Sequence, residues 1–105
     1  MVVMRVTGRD KLTLFMKKHP RARGPLAAWL QEVERVQWRN WADIKANYPT
    51  ADLIRSRSAG HRVVFNIKGN DYRLDVLIFF NYRTVVVHRI GTHARYNKWK
   101  FEDPS

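Results

Sequence analysis

The fold is decided by residues 61–90, which read HRVVFNIKGNDYRLDVLIFFNYRTVVVHRI. Three runs of this stretch are rich in β-branched and aromatic residues, as strands are: residues 61–67, 72–80 and 84–90. The first break contains Gly69-Asn70, a pair typical of two-residue hairpin turns, and the second is the three-residue loop Asn81-Tyr82-Arg83. The stretch therefore predicts a three-stranded antiparallel meander.

The two turns predict a register for the meander, because a turn of known length determines which residues face each other. The Gly69-Asn70 turn predicts the pairs Lys68–Asp71, Asn66–Arg73, Val64–Asp75 and Arg62–Leu77. The second loop predicts the pairs Phe79–Val85, Leu77–Val87 and Asp75–Arg89.

In this register, the alternation of side chains divides the sheet into two faces. One face is apolar except for His88 and is predicted to lie under the helices: Val63, Phe65, Ile67, Tyr72, Leu74, Val76, Ile78, Phe80, Val86 and Ile90. The other, which we call the open face, is polar at one end and apolar at the other: Arg62, Asn66, Arg73, Asp75 and Arg89, then Val64, Leu77, Phe79, Val85 and Val87.

The three arginines of the open face are expected to be exposed, ion-paired or in contact with an anionic ligand. Burying three guanidiniums without partners would cost too much free energy for them to be structural filler. Solvated charge on an open sheet is one interpretation. A phosphate ligand is the other, because the planar fork of arginine suits phosphate and few acidic residues lie nearby in the sequence.

The first half of the chain is predicted to be mainly helical, after a short N-terminal strand within residues 2–6. Three apolar groups follow at helical spacing: Leu12, Phe15 and Met16; Leu26, Trp29, Leu30, Val33 and Val36; then Trp41, Ile44 and Tyr48. Pro20 and Pro49 are expected to end the first and third helices, and Asn40 to cap the third. Trp29, Trp38 and Trp41 are assigned to the core or its rim.

Residues 49–60 are polar and turn-rich, and residues 55–60 are predicted to form a mobile basic loop. Residues 92–100 are predicted to be a short helical or irregular tail. The whole chain, residues 1–105, is therefore expected to be one α+β domain. Its N-terminal strand and two or three helices would pack on one face of a small antiparallel sheet.

The charge of the chain indicates a polyanionic partner. It has 105 residues, with 20 Lys and Arg against 9 Asp and Glu, and a formal net charge of +11. The excess is not a tail, because each half of the chain holds ten basic residues. Between Arg55 and Lys100 the only acids are Asp71 and Asp75. Nucleic acid, an acidic membrane surface and an acidic protein all remain candidates on charge alone.

Several classes of function are excluded or disfavoured by composition. The absence of cysteine excludes a disulfide scaffold, a thiol nucleophile and a thiolate metal site. The four histidines are scattered without a ligand-like spacing, so no metal site is predicted. No stretch has the length of a membrane span and the N-terminus lacks signal-peptide features, so a cytoplasmic protein is expected.

The segment after the meander adds a candidate catalytic group. His93 follows the last strand closely, and a histidine near arginines could act as a general base, although an isolated histidine is more often a surface or capping residue. Beyond it, basic residues alternate with aromatic ones: Tyr96, Lys98, Trp99, Lys100 and Phe101. This composition suits single-stranded RNA, but it equally suits a tail that covers the apolar end of the sheet.

Two long motifs resemble the HigB toxins of bacterial toxin–antitoxin systems. Residues 64–74, VFNIKGNDYRL, are similar to the family's V-F-N-I-K-G-N-x-Y-R-L, and residues 92–98, THARYNK, follow its G-T-H-A-E-Y-D-K. The resemblance extends over residues 3–100. It implies a RelE-like fold and a ribosome-associated mRNA endonuclease that uses neither metal nor other cofactor. It also implies a cognate antitoxin, usually a helix-turn-helix protein.

The resemblance further implies attack of an RNA 2′-hydroxyl on the adjacent phosphate, leaving a 2′,3′-cyclic phosphate. Such a reaction needs a base, cations and an acid. The residues assigned to catalysis are Arg62, Arg73, His93, Tyr96 and Lys98. The residues assigned to RNA binding are Arg55, Arg57, Asn66, Lys68, Arg89 and Lys100.

Three positions depart from the family pattern. Arg95 and Asn97 replace a common Glu and Asp, and Asp75 stands where an apolar residue is expected. The first two changes leave open a non-catalytic RNA- or ribosome-binding module. A DNA-binding regulator is a third possibility, disfavoured because the basic residues concentrate in the sheet half. The apolar end of the open face is expected to need a partner surface, such as the antitoxin, unless the tail covers it.

Overall fold

The computed structural model describes residues 3–57, 60–69 and 71–99. The helices and strands follow the chain in this order: β1 (Arg5–Thr7), α1 (Arg9–Lys18), α2 (Arg23–Val33), α3 (Trp41–Asn47), β2 (Asp52–Arg57), β3 (Gly60–Ile67), β4 (Tyr72–Phe79), β5 (Thr84–Thr92) and α4 (His93–Tyr96). Single 3₁₀ turns at Pro20–Ala22 and Phe80–Tyr82 precede α2 and β5. The predicted α+β class is confirmed.

The sheet is larger than predicted and is mixed rather than antiparallel. The order of the described strands is β1-β5-β4-β3-β2, and β1 pairs in parallel with β5 through Arg5 and Thr84. Residues 52–57, predicted as part of a loop, form the edge strand β2. An edge strand needs apolar side chains on one face only, so Leu53 packs against the core while Arg55 and Arg57 leave the strand polar.

The first predicted hairpin register is confirmed at three pairs: Asn66–Arg73, Val64–Asp75 and Arg62–Leu77. At the turn, the Asp71 amide donates a 3.1 Å hydrogen bond to the Lys68 carbonyl. Asn70 lies outside the described residues. The register holds because the alternating apolar side chains of both strands face the same core.

The second predicted register is correct at one end and shifted by one residue at the other. Asp75 faces Arg89 as predicted, but a bulge follows, and Phe79 faces Thr84 instead of Val85. The connection has four residues, Phe80–Arg83, and Arg83 takes a left-handed φ of 49°. The extra residue in β5 is His88, whose insertion restores the register beyond it.

The bulge exchanges the faces predicted for three valines. Val85 and Val87 are buried under the helices, whereas Val86 faces Leu77 on the open face. The predicted apolar patch of the open face is therefore wrong in part. Val85 belongs to the core, and Val64 is 1% exposed in the central strand β3.

The core lies between the helices and the apolar face of the sheet. Its centre is Phe65, whose ring is stacked on Trp38 at 5.8 Å and meets Trp29 edge-on at 5.5 Å. Both tryptophans are 2% exposed, while Trp41 is only partly buried at the rim, as predicted. Asn40 caps α3 as expected, because its side-chain oxygen accepts from the Asp43 amide at 3.1 Å.

One glycine makes the turn from β1 into α1 possible. Gly8 has φ +82°, and a Cβ added to it would lie 2.8 Å from the Val87 carbonyl oxygen. Glycine is thus required both by the left-handed backbone and by the close approach of β5.

In the part of the chain that the structure describes, every helix is too short or too polar to cross a lipid bilayer.

Candidate nucleic-acid interface

The open face gathers the polar residues that the register predicted for it. Arg62 and Asn66 lie on β3, Arg73 and Asp75 on β4, and Arg89 on β5. Since β4 lies between the other two strands, its residues form the middle of the group.

Asp75 organises two of the three arginines. Its carboxylate is completely buried and accepts from Arg62 through both oxygens, Nε at 2.9 Å and Nη2 at 2.6 Å. It also accepts from Arg89 Nε at 2.9 Å. The hydrogen bonds that Arg62 donates to Asp75 hold the pKa of Arg62 above its ordinary value. One carboxylate thus fixes two guanidiniums, leaving this trio with a net charge of +1.

Arg73 is held differently, against an aromatic ring. The residue is 8% exposed, and its Nη1 donates to the Tyr72 carbonyl at 3.3 Å. Its guanidinium carbon lies 5.3 Å from the centre of the Tyr96 ring. A cation against a ring keeps its full charge while losing freedom of movement. Arg73 is therefore a pre-positioned cation.

Trp99 packs on the polar end of the open face, not on the apolar end that we considered for the tail. Its ring lies 4.3 Å from the Arg89 guanidinium and 5.5 Å from the Tyr96 ring. The ring also rests on Gly91, where an added Cβ would lie 2.8 Å from it. The tail therefore braces the arginines from one side. Lys100 and Phe101 lie outside the described residues.

His93 lies at the start of α4, with its side chain exposed. Its backbone amide donates to the Asp71 carbonyl at 3.0 Å, and the Thr92 hydroxyl caps the helix by accepting from the Arg95 amide at 3.2 Å. These bonds fix the start of α4 beside the β3–β4 turn. Lys68 belongs to that turn, where its Nζ lies 3.7 Å from an oxygen of Asp71.

The other predicted site residues are distributed around this centre. Asn66 donates its side-chain amide to the Thr50 carbonyl at 3.2 Å. Arg55 faces Arg62 across β2 and β3, and Arg57 faces Gly60 near the end of the same pair. Tyr96 contacts Arg73, whereas Lys98 lines a separate cleft of about 510 Å³. The other lining residues include Phe15, Lys18, His19 and Arg95.

His88 also lies near the site, although no role was predicted for it from the sequence. The bulge places it close enough to the Asp75 trio for their charges to act on its ring. Partial desolvation of the ring against the sheet, then the charges of Arg62, Arg89 and Lys11, hold the pKa of His88 below its ordinary value, with Asp75 opposing. The sequence did contain one indication that His88 is unusual, because it was the one polar residue on the predicted apolar face.

Within residues 3–57, 60–69 and 71–99, no three His, Cys, Asp or Glu side chains are grouped so that they could hold a metal ion. The chemically useful groups described here are cations, aromatic rings, a hydroxyl and an imidazole. Such a set can bind a phosphate, stack on a base and exchange protons.

A small α+β fold with arginines braced on an open sheet face defines a protein with a basic site whose chemistry suits an anionic ligand. Residues 22–99, about three quarters of the chain, match the sequence profile of the HigB toxins, described as the RelE-like toxic component of a toxin–antitoxin system. The chain belongs to the HigB toxin family. It is therefore the toxin of such a pair and has an antitoxin as its partner. No curated protein matches its sequence.

Proposed function

We propose that this toxin is an endoribonuclease that cleaves mRNA on the translating ribosome and thereby inhibits translation and growth. The observation that carries the proposal is the fixed Arg73 guanidinium on the open face. It lies in the middle strand, with Arg62 and Arg89 on the strands either side. Membership of a RelE-like toxin family supports the same reaction class. The proposal treats residues 1–105 as one toxin domain that acts in the cytoplasm.

The proposed reaction needs only the groups of the RNA and the protein. The 2′-hydroxyl oxygen forms a bond to the adjacent phosphorus and gives its proton to a base. The bond from phosphorus to the 5′-oxygen breaks, and that oxygen takes a proton from an acid. The products are a 2′,3′-cyclic phosphate and a 5′-hydroxyl. Negative charge grows on the phosphoryl oxygens, where fixed cations lower the barrier.

The roles follow from how each side chain is held. Arg73 binds the phosphoryl oxygens, because the Tyr72 carbonyl and the Tyr96 ring hold its guanidinium in position. Arg62 acts more weakly, since Asp75 occupies its Nε and Nη2. His93 serves as base or acid. Tyr96 orients Arg73, and Lys98 adds charge from the neighbouring cleft.

The remaining cations extend this contact along the RNA. Arg55 and Arg57 lie on the edge strand β2, and Lys68 lies at the opposite end of β3. Asn66 contacts a sugar or base edge, Arg89 adds to the phosphate site, and Lys100 lengthens the basic tail. Phosphate contacts of this kind position RNA without reading its sequence.

The experiment compares induced expression of wild-type toxin, Arg73→Ala and His93→Ala, followed by mapping of new RNA 5′ ends. We expect growth arrest and internally cleaved messages with the wild type, and loss of both with either substitution. Arg23→Ala, at an exposed position of α2, is the matched control for loss of one positive charge. Equal arrest by all four proteins would refute the proposed site.

A non-catalytic ribosome-binding module is the second candidate. The observation that favours it is Asp75, which occupies two arginines that a reacting phosphate would otherwise contact. In that case purified toxin would bind ribosomes while a translated message kept its original ends. Cleavage and simple ribosome binding would both use the open face, so Arg73→Ala should weaken either one. The two functions are distinguished only when RNA ends are measured together with ribosome binding.

The antitoxin is proposed to be a helix-turn-helix protein that neutralises the toxin by placing acidic side chains against the open face. Charge complementarity supports this arrangement, because the toxin has a formal net charge of +11. Protection of the Arg73 region from exchange or modification in the complex would test it.

A further inference from the structure

A second cleft lies at the far end of the sheet from Arg73. It has a volume of about 730 Å³ and is open to solvent on one side. We call it the Tyr82 cleft, and its principal side chains are Arg39, Trp41, Arg57, His61, Phe80 and Tyr82. Three parts of the fold contribute to it: the start of α3, the β2–β3 end, and the turn between β4 and β5.

Several aromatic rings lie close together in the cleft, and Gly60 leaves room for one of them. Gly60 has φ +155°, and a Cβ added to it would lie 2.8 Å from the Phe79 ring. Beyond it, the Phe80 ring lies 4.8 Å from the His61 ring. Tyr82 is 78% exposed, one of two large hydrophobic side chains with such exposure among the described residues.

The polar groups of the cleft are mostly cationic. Arg39 is ion-paired with Asp43, which accepts from its Nε at 3.0 Å and from its Nη2 at 3.3 Å, and Arg57 also lines the cleft. No Asp or Glu is among the described residues that line the cleft. The Ser56 hydroxyl and His61 Nδ1 are 2.7 Å apart and add a hydrogen-bonding pair.

We propose that the Tyr82 cleft binds an unpaired RNA nucleotide, with its base against the rings and its phosphate on Arg57. Arg39 contributes more weakly, since Asp43 occupies its Nε and Nη2. Aromatic rings suit the faces of any base and arginines suit phosphate, whereas a purely apolar ligand would not need the arginines. The proposal adds a second RNA contact to the proposed function. It rests on that function in one respect, namely that the ligand of this protein is RNA. The RNA can be the message or ribosomal RNA, since both offer unpaired nucleotides.

The distance between the two sites makes the cleft a separate contact. Arg73 and Phe79 lie six residues apart on β4, which is about 20 Å along a strand. A nucleotide bound in the cleft is therefore distant from the phosphate that reacts at Arg73. We expect it to affect RNA binding more than the chemical step.

The binding test uses the full chain and a labelled, 2′-O-methylated oligouridine of about six nucleotides, which the proposed reaction cannot cleave. We expect Tyr82→Ala and Arg57→Ala each to raise the Kd about five- to fifty-fold. The matched controls are Leu14→Ala for an exposed apolar side chain and Arg23→Ala for an exposed charge. They should change the Kd less than about two-fold. All four side chains are at the surface, so the variants should fold.

Unchanged RNA binding by both cleft variants would overturn the proposal. So would a loss confined to the binding of an acidic antitoxin peptide, which would assign the cleft to a protein. A photo-crosslinking residue in place of Tyr82 then distinguishes message from ribosomal RNA, because the crosslinked RNA can be sequenced. Either RNA supports the proposed role of the cleft. Failure of the cleavage proposal would be seen separately, in RNA ends that Arg73→Ala leaves unchanged.

Discussion

The carboxylate of Asp75 lies 2.6 Å from Nη2 of Arg62 and is itself completely buried beneath the arginines. The same carboxylate bonds to Arg89, so one buried anion stabilises two cations. Its removal leaves two positive charges facing each other at a desolvated position.

Replacing Asp75 by Asn should lower the free energy of unfolding by about 2–3 kcal/mol. Breaking a fully buried ion pair typically costs about 3–5 kcal/mol, and the partial exposure of Arg62 and Arg89 reduces this cost. Urea denaturation measures the change. The matched control is Glu34→Gln, which breaks the exposed Arg9–Glu34 ion pair and should cost less than about 1 kcal/mol. Equal losses in both variants would contradict the organising role of Asp75.

Gly91 and Trp99 should be energetically coupled. Gly91→Ala places a methyl group against the Trp99 ring and should destabilise the protein, because the ring must move off Arg89. In a Trp99→Ala background the methyl group has room. The double variant should therefore be more stable than the sum of the single effects predicts, by about 0.5–1.5 kcal/mol.

Thermal or urea unfolding of the four proteins gives this coupling energy. Gly24→Ala combined with Trp99→Ala is the control pair, since a Cβ at Gly24 meets no other atom within 4 Å. That pair should be additive. Additivity of Gly91→Ala with Trp99→Ala would mean that the ring does not rest on Gly91 in solution.

Gly8→Ala should destabilise the fold by at least about 1–2 kcal/mol. The left-handed backbone alone accounts for that cost, and the contact with the Val87 carbonyl adds to it. Gly24→Ala tests glycine replacement without either constraint and should leave stability unchanged or slightly raised. A fall of the same size in both variants would contradict the close approach of Gly8 to Val87 in β5.

Stability should fall as the pH is lowered past the ordinary pKa of histidine, in part because of His88. Its pKa in the folded protein lies below 6.5, so the unfolded chain takes up a proton that the folded chain resists. The stabilisation is present above pH 6.5 and is lost as the pH falls through the lowered pKa.

This one group contributes a slope of at most about 1.4 kcal/mol per pH unit. Unfolding free energies measured from pH 7.5 to 5 should show a shallower slope for His88→Gln than for the wild type. Lys11→Gln, which removes one charge that lowers the pKa, should give an intermediate slope. Identical slopes for His88→Gln and the wild type would contradict the prediction.

Local turn chemistry made the first hairpin predictable, since Gly69 and the alternating apolar residues allow only one register. The predicted register of the second hairpin was shifted by one residue because of the bulge at His88. This bulge depends on packing that the neighbouring sequence does not indicate. Strand β2 was missed for a similar reason. Its polar sequence forms a strand only because β3 supplies hydrogen-bonding partners at the sheet edge.

The contacts within the site could be predicted only where they follow from the strand register. The Asp75–Arg89 pair follows directly from facing positions. The bond from Arg62 to Asp75 was not predicted, because Arg62 faces Leu77 and reaches the carboxylate diagonally. The contacts of Tyr96 and Trp99 depend on how the chain turns back after β5, which the spacing of residues does not reveal.

The parallel pairing of β1 with β5 has a consequence for when the toxin becomes complete during its own synthesis. Arg5 meets Thr84, about 80 residues later, and β5 lies between β1 and β4 in the sheet. At about 5–20 residues per second, ribosomes need roughly 4–16 s to make the intervening chain. The first strand therefore has no strand to pair with until two of the three arginines of the open face, Arg62 and Arg73, have been made.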